Sequence, residues 1–263
     1  MKKFTKILSI AIAAIMMVAV CVGCGQKKAD TDLGYIENNG KMVIGYTIYE
    51  PMNYEEDGKL TGFDTEFAEA VCAKLGVTPE FVEINWDTKF PTLDADQIDC
   101  IWNGMTISEE VKKNCLVSDA YVKNAQVVVM AKDSIANYAD IESLKDLKFV
   151  AEAGSAGEAA IKKNGLDKNY TAVAAQTDAL LAVAGGQADA CVIDITMAKA
   201  STAEGTSYEN LAYSIELTSE EYGIGFRLTD VELKDKVNAA IAELVEDGTL
   251  PALAEKYGLN LAF

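Results

Sequence analysis

The chain has 263 residues, half of them hydrophobic, and carries 41 Asp and Glu against 23 Lys and Arg, for a formal net charge of −18. A surface that acidic repels phosphate backbones and anionic head groups and argues against nucleic acid as a partner. Histidine is absent, which removes the commonest general base and with it Ser-His-Asp and Cys-His catalysis.

Lys2, Lys3 and Lys6 precede an apolar or small run over residues 7–20, too short for a comfortable membrane span and right for the hydrophobic region of an export signal. The run ends in "AVCVGCGQKK". A small residue before Cys24 and a polar stretch after it resemble the lipobox of bacterial lipoproteins, with Cys21 where leucine is usual. In that reading residues 1–23 are a signal peptide and Cys24 is the acylated, palmitate-bearing mature N-terminus; in the alternative the signal is cut elsewhere and Cys24 is an ordinary thiol. Removal of the three lysines of the signal takes the net charge from −18 to −21. Residues 24–39 lack hydrophobic periodicity and read as a polar tether.

From Lys41 apolar runs alternate with helical patterns. "KMVIGYT" reads as a strand, and "GFDTEFAEAVCAKLG" as a helix with Phe63, Phe67, Val71 and Leu75 on one face and Gly76 at its C-cap. "PEFVEI" is a strand, "DTKFPTL" a short helix and "DCIWN" a strand. The alternation then repeats in "LKFVAEAG", "SAGEAAIKKNG", "NYTAVAA", "TDALLAVAGG" and "ADACVID", which predicts an α/β fold of mainly parallel sheets covered by helices. "DQIDC" and "GQADAC" each deliver a helix into a buried strand, so two similar lobes are expected. "AQVVVMAK" and "EYGIGFRL" are long strands suited to crossing between them. Lobe one is therefore expected over 40–126 and 223–263, ending in a helix over 231–245 and another through "LPALAEKYG", and lobe two over 127–222. Strand ends facing each other across such a double crossing form a cleft that closes on a small molecule.

Several residues could line that cleft. Tyr46, Tyr49 and Tyr54 surround Pro51, and Trp86 and Trp102 follow; Tyr49 and Trp86, in polar loops just after strands, are expected as cleft walls, Tyr54 and Trp102 as core. "NGMTISEE" offers the backbone of Gly104, the Thr106 hydroxyl and a helix start, with Ser108 as its N-cap. "EAGSAGEAA" makes a glycine-rich turn that presents the amides of Ser155 and Ala156 without the lysine of a nucleotide loop. Asp194 ends an apolar strand, where a carboxylate either caps the next helix or awaits a cation. "LDADQID" lacks the glycine and terminal glutamate of a calcium loop and reads as a solvated turn. Cys72, Cys100, Cys115 and Cys191 are widely spaced and mostly in apolar segments, so buried free thiols are expected, and no metal site.

Together these segments resemble the extracellular solute-binding proteins, family 3, which serve ABC importers of polar amino acids. The likeness spans about residues 42–257 and rests on the ordered set "DGKLTGFDTEFAEAVCAKLG", "FPTLDADQIDCIWNGMTISEE", "VSDAYVKNAQVVV", "SLKDLKFVAEAGS" and "EDGTLPALAEKYG". It implies a two-lobed periplasmic-binding-protein-like fold joined by a two-strand hinge. It further implies that Tyr49 and Trp86 stack on the ligand, that Gly104 and Thr106 contact it, that the amides of Ser155 and Ala156 hold its α-carboxylate, and that Asp194 takes its α-ammonium. Tyr46, Asn103 and Glu50 are the expected side-chain selectors. One departure stands out: the arginine with which the family clamps the α-carboxylate is Val111 here, and Arg227, the only arginine of the chain, falls at no ligand position. The expectation is a monomeric, cofactor-free, lipid-anchored receptor on the outer face of the cell membrane that passes an amino acid or amine to ABC permease subunits. With Val111 in place, a basic amino acid or a carboxylate-poor amine is favoured over a neutral polar amino acid. The alternatives are a dehydratase-like enzyme on the same fold, or a sensor that presents its liganded form to a signalling partner.

Overall fold

The computed structural model describes residues 31–263; the export signal, Cys24 and residues 24–30 of the expected tether lie outside the described residues. The rest of that tether is structured instead. Thr31 caps helix α1 (Asp32–Asn39) by accepting the Gly34 amide at 3.2 Å, and Gly40 closes it at φ +66°. No amphipathic stripe runs along this helix, because a single fully buried side chain, Ile36, docks it on the core.

Lobe one continues with strand β1 (Lys41–Tyr46), the hairpin β2 (Tyr54–Glu56) and β3 (Lys59–Thr61), helix α2 (Phe63–Leu75), strand β4 (Thr78–Glu83), helix α3 (Lys89–Asp94) and strand β5 (Cys100–Thr106). Helix α4 (Glu109–Asn114) and the short strands β6 (Leu116–Val117) and β7 (Val122–Asn124) follow. Helix α2 forms as its periodicity requires: Phe63, Phe67 and Val71 are fully buried, and Gly76 ends it in the left-handed conformation at φ +73°. Phe67 meets Trp102 edge-on at 5.0 Å and Phe63 stacks on Tyr121 at 6.2 Å, which places Trp102 in the core as expected. Tyr54 is half-buried on the hairpin.

Lobe two comprises β8 (Gln126–Ala131), β9 (Phe149–Glu152), helix α5 (Ala156–Lys163), β10 (Tyr170–Val173), helix α6 (Gln176–Ala184), β11 (Ala190–Asp194), helix α7 (Ile195–Ser201) and β12 (Leu211–Glu216). Its sheet has the order β10-β9-β11-β8-β12, with β10, β9 and β11 parallel and β8 antiparallel to both of its neighbours. The near-continuous apolar run of β8 has two buried faces: Val128 and Met130 pack with Ala160 and Ile161 of α5, while Val127 and Val129 share a cluster with Ala179 and Leu180 of α6. The chain returns through β13 (Glu220–Phe226) and ends in helices α8 (Val231–Glu246) and α9 (Thr249–Tyr257). Sheet one has the order β4-β1-β5-β13-β6, with β7 also on β13.

The repeated Asp before a strand does the same work in each lobe. The Asp99 carboxylate accepts the amide of Val43 in β1 at 2.7 Å, and the Asp189 carboxylate accepts that of Lys148, just before β9, at 2.8 Å. In both cases the side chain extends a parallel ladder by one rung.

The crossing differs from the expected long strands. The first is split at Ala125: Asn124 pairs with Glu220 in sheet one, while Gln126 pairs with Asp194 in sheet two. The returning β13 lies wholly in sheet one, so the second crossing is residues 217–219 rather than the strand itself. Backbone partners change at these points, and the two connections are stitched to each other by Gln126 N to Thr218 Oγ1 at 2.9 Å and Leu217 N to Gln126 O at 2.8 Å. Glu220 and Tyr222, expected in lobe two, thus stand on lobe one, and Gln126 on lobe two. All four cysteines of the described residues are buried and free.

Candidate functional site

Strands β5, β9 and β11 end at Thr106, Glu152 and Asp194, and these ends border a cavity of about 220 Å³ between the lobes. The lobes touch across it. Lys89 Nζ of lobe one donates to the Gly154 carbonyl of lobe two at 2.8 Å, and Tyr49 hydrogen-bonds Thr196 at the start of α7.

Asp194 occupies the N-cap position of α7, yet its carboxylate makes no cap bond. Oδ1 accepts instead from Tyr222 OH at 2.8 Å, Gln126 Nε2 at 2.7 Å and Asn124 Nδ2 at 2.5 Å, and Oδ2 from Gln176 Nε2 at 2.7 Å. The two crossing-strand amides are shared with a second carboxylate, since Asn124 and Gln126 also donate to Glu220 Oε1, each at 2.7 Å. Thr106 Oγ1 donates to the same oxygen at 2.8 Å. Burial, with the neighbouring Glu220 charge, pushes the Asp194 carboxyl up to about 7. The capping role is gone; what remains is a buried, oriented acid facing the cavity.

The structure brings Trp86, Asn103, Gly104, Thr106, Ser155, Ala156 and Asp194 to the lining. Their free groups are fewer than the sequence suggested. The Gly104 amide is taken by Asp64 Oδ2 at 2.6 Å, which leaves its carbonyl. The Asn103 side chain is locked inside lobe one, donating to the Thr47 carbonyl and to Asn53, so it is no side-chain selector. The Ser155 amide, expected to be free for the ligand, donates to the Glu152 carbonyl at 3.3 Å and its Oγ caps α5 through the Glu158 amide at 3.1 Å, whereas the Ala156 N–H, in the first turn of that helix, has no acceptor within it by helix geometry. Trp86 carries the Lys89 ammonium 4.8 Å above its ring, so one face is already covered.

Tyr49 and Tyr46 are placed differently from expectation, and neither lines the cavity. Tyr49 is 2% exposed, held by its hydroxyl to Thr196 and Tyr222. It lies behind Gly104, where a Cβ would come within 2.7 Å of its ring; the glycine, at φ +53°, stands between ring and ligand space. Tyr46 packs edge-on against Phe81 at 6.2 Å, and Glu50 is exposed outside the lining.

Val111 lines the cavity where the arginine was expected, buried beside Trp86 and Cys115, and Lys112 points away to an exposed pair with Glu109. Arg227 is structural: it donates to the carbonyls of Leu93 and Ile98 and pairs with Asp230 at 2.9 Å. Five charged lining residues were not anticipated, namely Lys89, Glu110, Glu152, Lys163 and Glu220. Lys89 is 5% exposed, and burial holds its ammonium below the usual lysine range against the pull of Glu110 and Glu152. Its signal is helical spacing, because Trp86, Lys89 and Leu93 fall on one buried face. Glu152 closes an apolar strand just as Asp194 does.

Two α/β lobes joined by a double crossing, with a small cavity of mixed polar and apolar lining at the strand ends and an oriented acid inside it, define a binding receptor that closes around a solute. Residues 42–260 match the family model of the bacterial extracellular solute-binding proteins, family 3, and the chain belongs to that family. It is 31% identical to the L-cystine-binding protein TcyJ of Escherichia coli strain K12 over 94% of each chain. It is 28% identical to the arginine-binding extracellular protein ArtP of Bacillus subtilis, covering 92% of this chain and 96% of that one. A Streptococcus pneumoniae ABC uptake transporter substrate-binding protein with bound histidine superposes with a TM-score of 0.81 at 28% identity, covering 88% and 97% of the two chains.

Proposed function

We propose that this protein is the amino acid receptor of an ABC importer, tethered to the outer face of the cell membrane by a lipid on Cys24, and that its cavity prefers a solute with net positive charge. The observation that carries the preference is the charge of the lining: Glu110, Glu152, Asp194 and Glu220 outnumber Lys89 and Lys163 there, while Val111 stands where the resemblance places a guanidinium to hold a carboxylate. Relatives that bind arginine, histidine and cystine support an amino acid as the solute class. The α-ammonium is assigned to Asp194, and the α-carboxylate to the Ala156 amide at the start of α5. Binding, with no chemical step, is the work of the site.

A thermal-shift panel of L-arginine, its decarboxylated analogue agmatine, L-glutamine and L-glutamate tests the reading. Arginine is expected to stabilise most, agmatine to retain a measurable shift, and glutamate to give the least. Strongest stabilisation by glutamate overturns the cation preference; no shift with any amino acid overturns the receptor. For the anchor, metabolic labelling with palmitate is expected to mark the wild type and to miss Cys24→Ala; a labelled mutant removes that assignment.

A further inference from the structure

Asp194 and Glu220 are oriented by several donors from the protein, whereas no described side chain or amide donates to Glu152 Oε1. It is 3% exposed, its Oε1 is fully buried, and that atom has no hydrogen-bond partner among the described residues. Lys89, whose charge acts on it, already donates to the carbonyls of Trp86 and Gly154. Nothing in lobe two requires an acid here. The same face of β9 and its neighbours is apolar, and an apolar side chain would avoid the cost of desolvating a carboxyl. A buried acid without a partner, lining a ligand cavity, is complementary to something that enters the cavity.

Its place relative to Asp194 is fixed by the sheet. β9 and β11 run parallel with Val150 opposite Cys191; two residues on, β9 ends in Glu152, and three on, β11 ends in Asp194. Glu152 thus falls opposite Ile193, with Asp194 one residue further along the neighbouring strand, so the two acids leave adjacent strand ends from opposite faces of the sheet and both border the cavity. We propose that Glu152 receives a second cationic group of the bound solute, separate from the α-ammonium at Asp194, and so selects amino acids with a basic side chain over neutral ones of the same length. This rests on the receptor reading above and adds to it the residue that sets the solute class. The charged groups facing Glu152 are Lys89 from lobe one and Asp194 and Asp178 from lobe two. Burial and the Asp194 charge push its carboxyl up to about 8, so the arriving cation displaces a proton near neutrality.

Calorimetry on the full-length protein with L-lysine and L-norleucine, which differ by the terminal ammonium, tests this. The wild type is expected to bind lysine at least tenfold more tightly than norleucine. Glu152→Gln is expected to weaken lysine at least tenfold and leave norleucine within threefold, while Glu152→Asp, which keeps the charge, retains a lysine preference. Equal weakening of both ligands by Glu152→Gln, in a variant that melts like the wild type, assigns Glu152 a general packing role and overturns the inference. A wild type that binds norleucine as well as lysine overturns it too and leaves the receptor standing; failure of the folded wild type to bind either ligand or any other amino acid overturns both.

Discussion

Replacing Asp194 with asparagine keeps the shape of the buried acid and removes its charge, at a point where four side chains already donate to the two oxygens. An ammonium bound there loses a charge-assisted hydrogen bond of about 1.5–3 kcal/mol, so affinity is expected to fall roughly ten- to a hundredfold. The free variant is expected to melt lower than the wild type as well, because one of the two acceptor oxygens becomes an NH2 that faces the donors already pointing at it. Calorimetry showing unchanged affinity in the folded variant removes Asp194 from the site. This residue was legible in the sequence because a carboxyl closing an apolar strand must meet either a cation or donors. Glu152 carries the identical signature in "KFVAE" and was missed, although the same argument applied to it would have found it. Tyr49 was not: whether its ring faces the solute or the core depends on Gly104 lying across it, a contact between segments 55 residues apart that no local pattern encodes.

At the scale of elements, the start of α5 is set by how closely the helix approaches its sheet. Gly157 is where the two meet, since a Cβ there would sit 2.6 Å from the Val192 carbonyl oxygen of β11, a backbone atom that cannot swing away. Gly157→Ala is expected to push the first turn of α5 outward, with an overpacking cost of about 1–3 kcal/mol. The Ala156 amide moves with it. Affinity for L-arginine should therefore fall while that for agmatine, which has no carboxylate, changes less; an equal loss for both returns Gly157 to packing alone. The strands and helices around this contact were readable from apolar runs, period and punctuation, as the continuous apolar run of β8 and the glycine cap of α2 illustrate. Helix α1 escaped that reading because one buried isoleucine has no period. The splitting of the crossing at Ala125 escaped it because an apolar run looks the same whether its ladder partners stay or change.

For the molecule as a whole, the site leaves a mark on stability. Asp64, Asp194 and Glu152 are all buried acids, pushed by desolvation to about 7, 7 and 8. Each holds its proton in the folded state at pH values where the unfolded chain, with ordinary carboxyls near 4, has lost it. A carboxyl raised in this way contributes stability that is complete below its unfolded value and is lost as pH rises through the folded one. Between pH 5 and 7 the folded state binds the extra protons, so unfolding free energy falls by up to about 1.4 kcal/mol per pH unit for each such group. The free protein is thus expected to melt at a higher temperature at pH 5.5 than at pH 8. Repulsion among the many surface carboxylates has the same sign, but salt separates the two. Screening at high ionic strength flattens the surface contribution and leaves that of the three enclosed acids. Saturating L-lysine should then raise the melting temperature more at pH 8 than at pH 5.5, because a bound cation favours ionised Asp194 and Glu152. A melting temperature that rises from pH 5.5 to pH 8 in high salt means that these acids are already ionised in the free protein, and a lysine shift independent of pH means that the solute does not meet them.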